Sequence, residues 1–167
     1  MSLDNIQLPA IVLHDLFKNS LVDLNTSIVK STVTKTTGIS FLGNNQKQIT
    51  IIADDEKTLY LPEEELNFLM GILSACKLSM ADVALVNISK TGLLTYSEIE
   101  TQLHAETILL FAVEPLLLQL PLQFPHYQIQ KFNNRVYLSA PALHIIAADK
   151  AEKTKLWNCL KEVFAVG

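Results

Sequence analysis

Residues 136–145 read Val-Tyr-Leu-Ser-Ala-Pro-Ala-Leu-His-Ile, and residues 153–157 read Lys-Thr-Lys-Leu-Trp. The first run is typical of a short buried strand that Pro141 stops in a turn. Apolar residues recur at helical spacing from Asp149 to Phe164, and Asp149 followed by Glu152 resembles a capping box. This part of the chain therefore predicts a strand, a turn and a closing helix.

Further strands are predicted upstream, at residues 48–53, 82–88 and 106–113. The last of these runs is almost uninterrupted in apolar residues, as expected where both faces of a sheet are covered. A helix is predicted to start near Pro62. The alternation of strands and helices predicts an α/β fold, a three-layer sandwich with a mostly parallel central sheet of about four strands.

Two predictions concern the chain before this sheet. Residues 39–53 predict a hairpin, with a turn at residues 43–46. Residues 1–38 predict a helix and a Thr-rich arm, followed by one α/β domain over residues 39–167. The helix places four apolar residues at helical spacing, and these are candidate partner contacts or, alternatively, the packing face of an ordinary first helix: Val12, Leu13, Leu16 and Phe17.

Composition limits the classes of function. A chain of 167 residues, 49% of them hydrophobic, can bury a sizeable core, and its apolar runs are too short for a membrane span. A cytoplasmic protein is expected, because the first residues lack the pattern of a secretory signal. The net charge is −4 and Arg135 is the single arginine of the sequence, and both facts disfavour tight binding of nucleic acid. Cys76 and Cys159 are expected to be ordinary thiols.

Residues that follow the strands define a candidate ligand rim, because ligands of open α/β sheets bind at the carboxyl ends of the strands. The candidates are Asp54, Asp55, Glu114 and His144. Asp54 and Glu114 are a candidate carboxylate pair for acid and base chemistry, although acidic residues at strand ends also form turns and helix caps. The four histidines lack metal-ligand spacing and the five glycines never cluster, so no catalytic, cofactor or metal residue is assigned.

The order of these segments resembles the uracil-DNA glycosylase superfamily over approximately residues 48–164. The resemblance rests on residues 49–54, 83–88 and 107–111, on Leu-Ser-Ala-Pro-Ala-Leu at 138–143 and on Lys-Leu-Trp at 155–157. It implies a uracil-DNA glycosylase-like fold. Those enzymes carry a glycine-rich, water-activating loop after the first strand, where this chain has Ala-Asp-Asp-Glu-Lys at 53–57. The resemblance therefore implies the fold without the glycosylase chemistry.

A family with this fold and without this chemistry is that of the psi subunits of bacterial DNA polymerase III, which are adaptors of the clamp-loader assembly. The chain is similar to them in size, in Ser139 to Leu143 and in Leu156-Trp157. In that family an N-terminal segment reaches the clamp loader, and the folded body holds the chi subunit, which contacts single-strand-binding protein. The resemblance implies the same partners here, with residues 1 to about 38 as the reaching arm.

Two classes of function therefore stay open. The favoured one is a non-catalytic adaptor subunit in DNA replication. The alternative is a divergent glycosylase-like enzyme or a small-ligand-binding protein that uses the rim. Exposed apolar residues on the N-terminal helix would also be compatible with a homodimer.

Overall fold

The computed structural model describes residues 38–166, which form an α/β fold around a five-stranded sheet. The strands are β1 (Ile49–Ala53), β2 (Val83–Asn87), β3 (Thr107–Phe111), β4 (Ile129–Phe132) and β5 (Arg135–Ala140). Their order is β2-β1-β3-β5-β4, and each neighbouring pair is parallel except β4 with β5. The predicted mostly parallel sheet is confirmed, with one more strand than expected.

Helices follow or precede most of these strands. They are α1 (Glu63–Ala75), α2 (Ile88–Thr91), α3 (Tyr96–Glu98, continued by a π-helical turn over Ile99–Leu103), α4 (Leu143–Ala148) and α5 (Lys150–Phe164). Two 3₁₀ turns lie at Met80–Asp82 and Pro115–Leu118. The helix predicted near Pro62 is confirmed as α1, and the closing helix is confirmed as α5. Within the described residues, no helix is both long enough and apolar enough to cross a bilayer.

The sheet is covered by apolar side chains on both faces. Along β1, Ile49, Ile51 and Ala53 pack on one side with α1, α4 and α5, whereas Ile52 packs on the other side with α3. Side chains alternate between faces in this way because successive residues of a strand point in opposite directions. All residues of β1 and β2 are buried, as in a sheet with helices on both faces. This arrangement is compatible with the predicted three-layer sandwich.

The predicted hairpin over residues 39–53 is wrong in its first arm. Leu42 forms an isolated antiparallel bridge with Leu85 of β2, so this segment pairs with the neighbour of β1 rather than with β1 itself. Gly43 allows the close approach. It has a φ of +112°, and a Cβ there would lie 2.2 Å from the carbonyl oxygen of Val83. Only glycine fits this crossing without a shift of the backbone.

Strand β4 has no counterpart in the sequence-based prediction. It forms a hairpin with β5 through Asn133 and Asn134, whose φ angles of 50° and 64° are both left-handed. Two positive φ angles are characteristic of the tight turn that joins antiparallel strands, and asparagine tolerates them. The Asn-Asn pair is a signal for this hairpin in the sequence. The strand Ile-Gln-Lys-Phe is too short, and too mixed in polarity, to be predicted with it.

The predicted capping box of α5 is half right. The Asp149 carboxylate accepts a hydrogen bond from the backbone N–H of Ala151 at 2.7 Å and thereby caps the helix. Glu152 instead accepts hydrogen bonds from the Tyr127 hydroxyl and from Lys155. The predicted N-terminal helix with its candidate contacts Val12, Leu13, Leu16 and Phe17 falls on residues outside the described part of the chain, as does nearly all of the predicted Thr-rich arm.

Candidate functional site

Asn87, at the carboxyl end of β2, organises the rim of the sheet. Its side chain is buried and donates hydrogen bonds to the carbonyl oxygens of Asp55, Thr58 and Leu59 at 2.7, 3.1 and 3.3 Å. Its amide oxygen accepts from the backbone N–H groups of Asp55 and Ser89. The side chain of Asn87 thus holds the loop that follows β1 by hydrogen bonds to its backbone. This loop carries two of the predicted rim residues.

Asp55 is used to shape this loop. Its Oδ1 accepts hydrogen bonds from the backbone N–H of Lys57 at 2.7 Å and of Thr58 at 3.3 Å, and its Oδ2 accepts from the Thr58 hydroxyl at 3.0 Å. The hydrogen bond from Lys57 is the main cause that lowers the pKa of Asp55. Asp55 is therefore an ionised turn-forming carboxylate.

Three of the four predicted rim residues line one cleft of about 290 Å³, here named the rim cleft: Asp54, Asp55 and His144. Glu65 of α1 joins them and lies 3.4 Å from Nδ1 of His144. The hydroxyl of Ser89 donates to Asp54 from the side of β2. Glu56 also lines the cleft, which therefore gathers four carboxylates and one imidazole. Asp54, Asp55, Glu65 and His144 each have a partner in the protein.

The fourth predicted residue, Glu114, lies elsewhere. It lines a neighbouring cleft of about 620 Å³ together with His126 and Ser139. The candidate carboxylate pair of Asp54 and Glu114 is consequently divided between two clefts. In the second cleft, Nδ1 of the exposed His126 lies 3.0 Å from Oγ of Ser139, which is buried at the end of β5. This contact fixes the loop before β4 on the sheet. It was not predicted from the sequence, because β4 was not predicted.

Metal-binding chemistry finds no support in the described part of the chain, where no group of three or more His, Cys, Asp and Glu side chains is placed to hold an ion. Both cysteines are free thiols; Cys76 is buried, as expected of both, whereas Cys159 is only partly buried. Burial raises the pKa of both Cys76 and Cys159, so their thiols stay protonated at neutral pH.

A different surface is apolar. Between α1 and α5 runs a groove of about 460 Å³, here named the α1–α5 groove and lined by Phe68, Gly71, Ile72 and Ala75 from α1 and by Lys153 and Trp157 from α5, among others. Phe68, Ile72 and Trp157 pack on the core with their inner sides and keep part of their surface in solvent. The Lys153 ammonium lies 5.8 Å from the centre of the Phe68 ring, within the range of a cation–π contact.

Sequence reasoning placed Trp157 on the apolar face of α5 and did not predict the groove. The available signal was in α1, where Leu66, Phe68, Leu69, Met70, Ile72 and Leu73 are too many apolar residues for a single core-facing stripe. Leu69 and Leu73 are buried against the sheet, whereas Met70 is 40% exposed. The surplus apolar residues line the groove or point to solvent.

On the side of α5 that faces away from the groove, polar side chains interact with one another. The Tyr127 hydroxyl and the Lys155 ammonium both donate to Glu152, and the Lys155 ammonium lies 5.7 Å from the centre of the Tyr127 ring. The hydrogen bond from Lys155, followed by that from Tyr127, lowers the pKa of Glu152. Burial, reinforced by Glu152, raises the pKa of Tyr127 well above its usual value.

Comparison with protein-family models and with curated proteins gives no match for this chain.

Proposed function

We propose that the protein is a non-catalytic adaptor subunit that holds a partner protein through its folded body, in the manner of the psi subunits of DNA polymerase III. The observation that carries this proposal is the α1–α5 groove. It presents Phe68, Ile72 and a half-buried Trp157 to solvent in one concave apolar surface. Tryptophan in such a position is the residue most often found to dominate the energy of a protein interface.

The state of the rim supports a role without catalysis. A general base or nucleophile needs a carboxylate or imidazole that is available to the substrate. The oxygens of Asp55 are occupied within its own turn, and Asp54 accepts from Ser89. These two carboxylates of the rim cleft therefore serve the loop that follows β1.

The uracil-DNA glycosylase-like fold and the identity of the partners are part of the same proposal. The mostly parallel sheet, the turn at Pro141 and the helix that carries Trp157 support the resemblance. By that resemblance, a chi-like subunit would occupy the folded body, residues 1–38 would reach the clamp loader, and the complex would act in the bacterial cytoplasm.

Affinity capture with the full chain tests this function. We expect the wild-type chain to retain clamp-loader, chi-like or single-strand-binding components, identified by mass spectrometry. Trp157→Ala should reduce recovery of the component held by the folded body at least tenfold, because the anchor of the groove is lost. The matched control is Leu93→Ala, which removes a leucine that is 93% exposed and lies outside the groove. Recovery of none of these components by the wild-type chain would contradict the proposal.

The rim cleft favours a second candidate, a small-ligand-binding protein or divergent enzyme that uses Asp54, Asp55 and His144. The specific observation is that these residues and Glu65 line one cleft. A polar metabolite library, screened by thermal shift on the full chain, tests it. A ligand whose stabilisation disappears in both Asp54→Ala and His144→Ala would establish this candidate, and the absence of such a ligand would exclude it.

A further inference from the structure

We infer that the α1–α5 groove binds an amphipathic helix whose apolar anchors are flanked by acidic residues. The inference deepens the proposed function, because it rests on the presence of a protein partner and specifies the chemistry of the partner's contact segment. Three properties of the groove carry it: its length, its charge and the open space above Gly71.

The length of the groove matches two turns of helix. Its lining extends from Asn67 to Ala75 on α1 and from Lys153 to Leu160 on α5, which are eight and seven residue steps. At 1.5 Å per step, this corresponds to about 10–12 Å. A helix that lies in such a groove presents anchors at positions i, i+3 or i+4, and i+7, which span the same distance. The groove is therefore suited to two or three apolar side chains from one helix.

Small residues allow the backbone of this helix to come close. Gly71 and Ala75 lie one turn apart on the exposed side of the groove floor, and a Cβ added at Gly71 would have no heavy atom within 4 Å. The open space is thus large enough to admit a side chain of the partner. It also permits a substitution at Gly71 that fills the groove without disturbing α1.

The charge of the groove comes mainly from one wall. Trp157 and Lys161 follow Lys150 by seven and eleven residues, and both positions fall within about 20° of Lys150 around the helix. Lys153 lines the groove itself, so three exposed lysines follow its α5 wall. Among residues 38–166, none of the three forms an ion pair.

The acidic residues of α5 are on its other side. Glu152 and Glu162 fall more than about 100° from the line through Lys150, Trp157 and Lys161. Glu152 is moreover engaged by Tyr127 and Lys155. On the facing wall, Glu64 lies one turn before Phe68, at the N-terminal mouth of the groove. Acidic residues of the partner are therefore expected to face α5, since complementary charges set the orientation of docking.

A pair of designed peptides tests the inference on the full chain. Both are helical 16-residue peptides with leucine at i, i+3 and i+7 and no tryptophan, and they differ only in flanks of glutamate or lysine. Trp157 is the single tryptophan of the protein, so its emission reports occupancy of the groove directly. We expect a blue shift of emission and at least tenfold tighter binding of the glutamate peptide at low salt, with the preference shrinking as salt rises.

Two variants locate the site. Gly71→Leu should weaken binding of the glutamate peptide at least tenfold, because the new side chain occupies the groove, while the circular dichroism spectrum stays unchanged. Its matched control, Gly71→Ala, adds only a methyl group and should bind within about twofold of the wild type while raising helix stability. The double charge reversal Lys153→Glu and Lys161→Glu should invert the preference in favour of the lysine peptide.

Several results would overturn the inference. Equal binding of the two peptides would show that the charged wall does not select the partner. Unchanged binding in Gly71→Leu would place the site elsewhere. Concentration-dependent dimerisation that is abolished by Gly71→Leu would make a second copy the occupant. If neither peptide binds while clamp-loader or chi-like components are captured, the proposed function stands and the inference is wrong. If the glutamate peptide binds selectively while none of those components is captured, the inference stands and the proposed function is wrong.

Discussion

The rim cleft and the α1–α5 groove share helix α1 and differ in what their side chains do for the fold. Glu65, in the first turn of α1, lines the rim cleft, whereas Phe68 and Ile72, one and two turns later, line the groove. The polar groups of the rim hydrogen-bond to their own loops, and Asn87 is buried among them. The apolar groups of the groove keep part of their surface in solvent. The fold thus leaves uncovered apolar surface in the groove and hydrogen-bonded polar groups at the rim.

Among substitutions at the rim, the largest effect is expected when Asn87 is replaced by Ala. The substitution leaves five backbone groups of residues 55–59 and 89 without their hydrogen bonds, and we expect a loss of about 3 kcal/mol in the free energy of unfolding. Urea denaturation followed by circular dichroism measures it. Asn87→Asp sets a carboxylate oxygen against the three carbonyl oxygens that the amide group contacts, so at neutral pH it should be at least as destabilising as Asn87→Ala. A loss below about 1 kcal/mol in Asn87→Ala would show that the rim loop is held by other contacts.

Trp157→Ala should separate stability from binding. Trp157 is half-buried, so we expect a smaller loss of about 1–2 kcal/mol, in contrast to the tenfold loss of partner capture. Leu156→Ala is the matched control in the same helix, because Leu156 is only 2% exposed and its truncation should cost about 2–5 kcal/mol. If Trp157→Ala proved as destabilising as Leu156→Ala, the groove would be part of the core rather than a docking surface.

The strands of this fold could be predicted from sequence where burial is complete. Residues 49–53, 83–87 and 107–111 are buried almost throughout. Strands of this kind can be predicted because their sequences are nearly continuous apolar runs. Strand β4 is an edge strand whose residues are only partly buried, so its pattern is weak. Leu42 pairs with Leu85, a partner 43 positions away that no local pattern specifies.

The candidate site could be predicted only in part for a related reason. The rule that polar residues meet at the carboxyl ends of parallel strands brought Asp54, Asp55 and His144 together correctly. It did not separate Glu114, because the chain bends at Ala112, where φ is +56°, before it reaches Glu114. The groove requires two helices that are far apart in the sequence, so neither helix alone defines it.

A smaller effect, on the acid side only, is expected from Glu152→Gln. The folded state lowers the pKa of Glu152 from its ordinary value of 4.5, since the charged form accepts from Lys155 and Tyr127. Its contribution to stability is therefore fully present above pH 4.5 and is lost as the pH falls through the lower folded value. Unfolding midpoints in urea at neutral and at acid pH should differ less in Glu152→Gln than in the wild type. Asp55 titrates in the same direction in both proteins, so the difference between them isolates Glu152.

The smallest effect is expected from His144→Gln, at the polar site. The His144 side chain is 66% exposed, and the contact of so exposed a group with the Glu65 carboxylate at 3.4 Å contributes little in water. We expect a change below about 0.5 kcal/mol at neutral pH and unchanged capture of partners. Glutamine keeps a donor toward Glu65, so a large loss of stability would mean that the imidazole is held more tightly than its exposure indicates. A loss of partner capture with stability intact would move the docking surface from the groove to the rim, because His144 lines the rim cleft and not the groove.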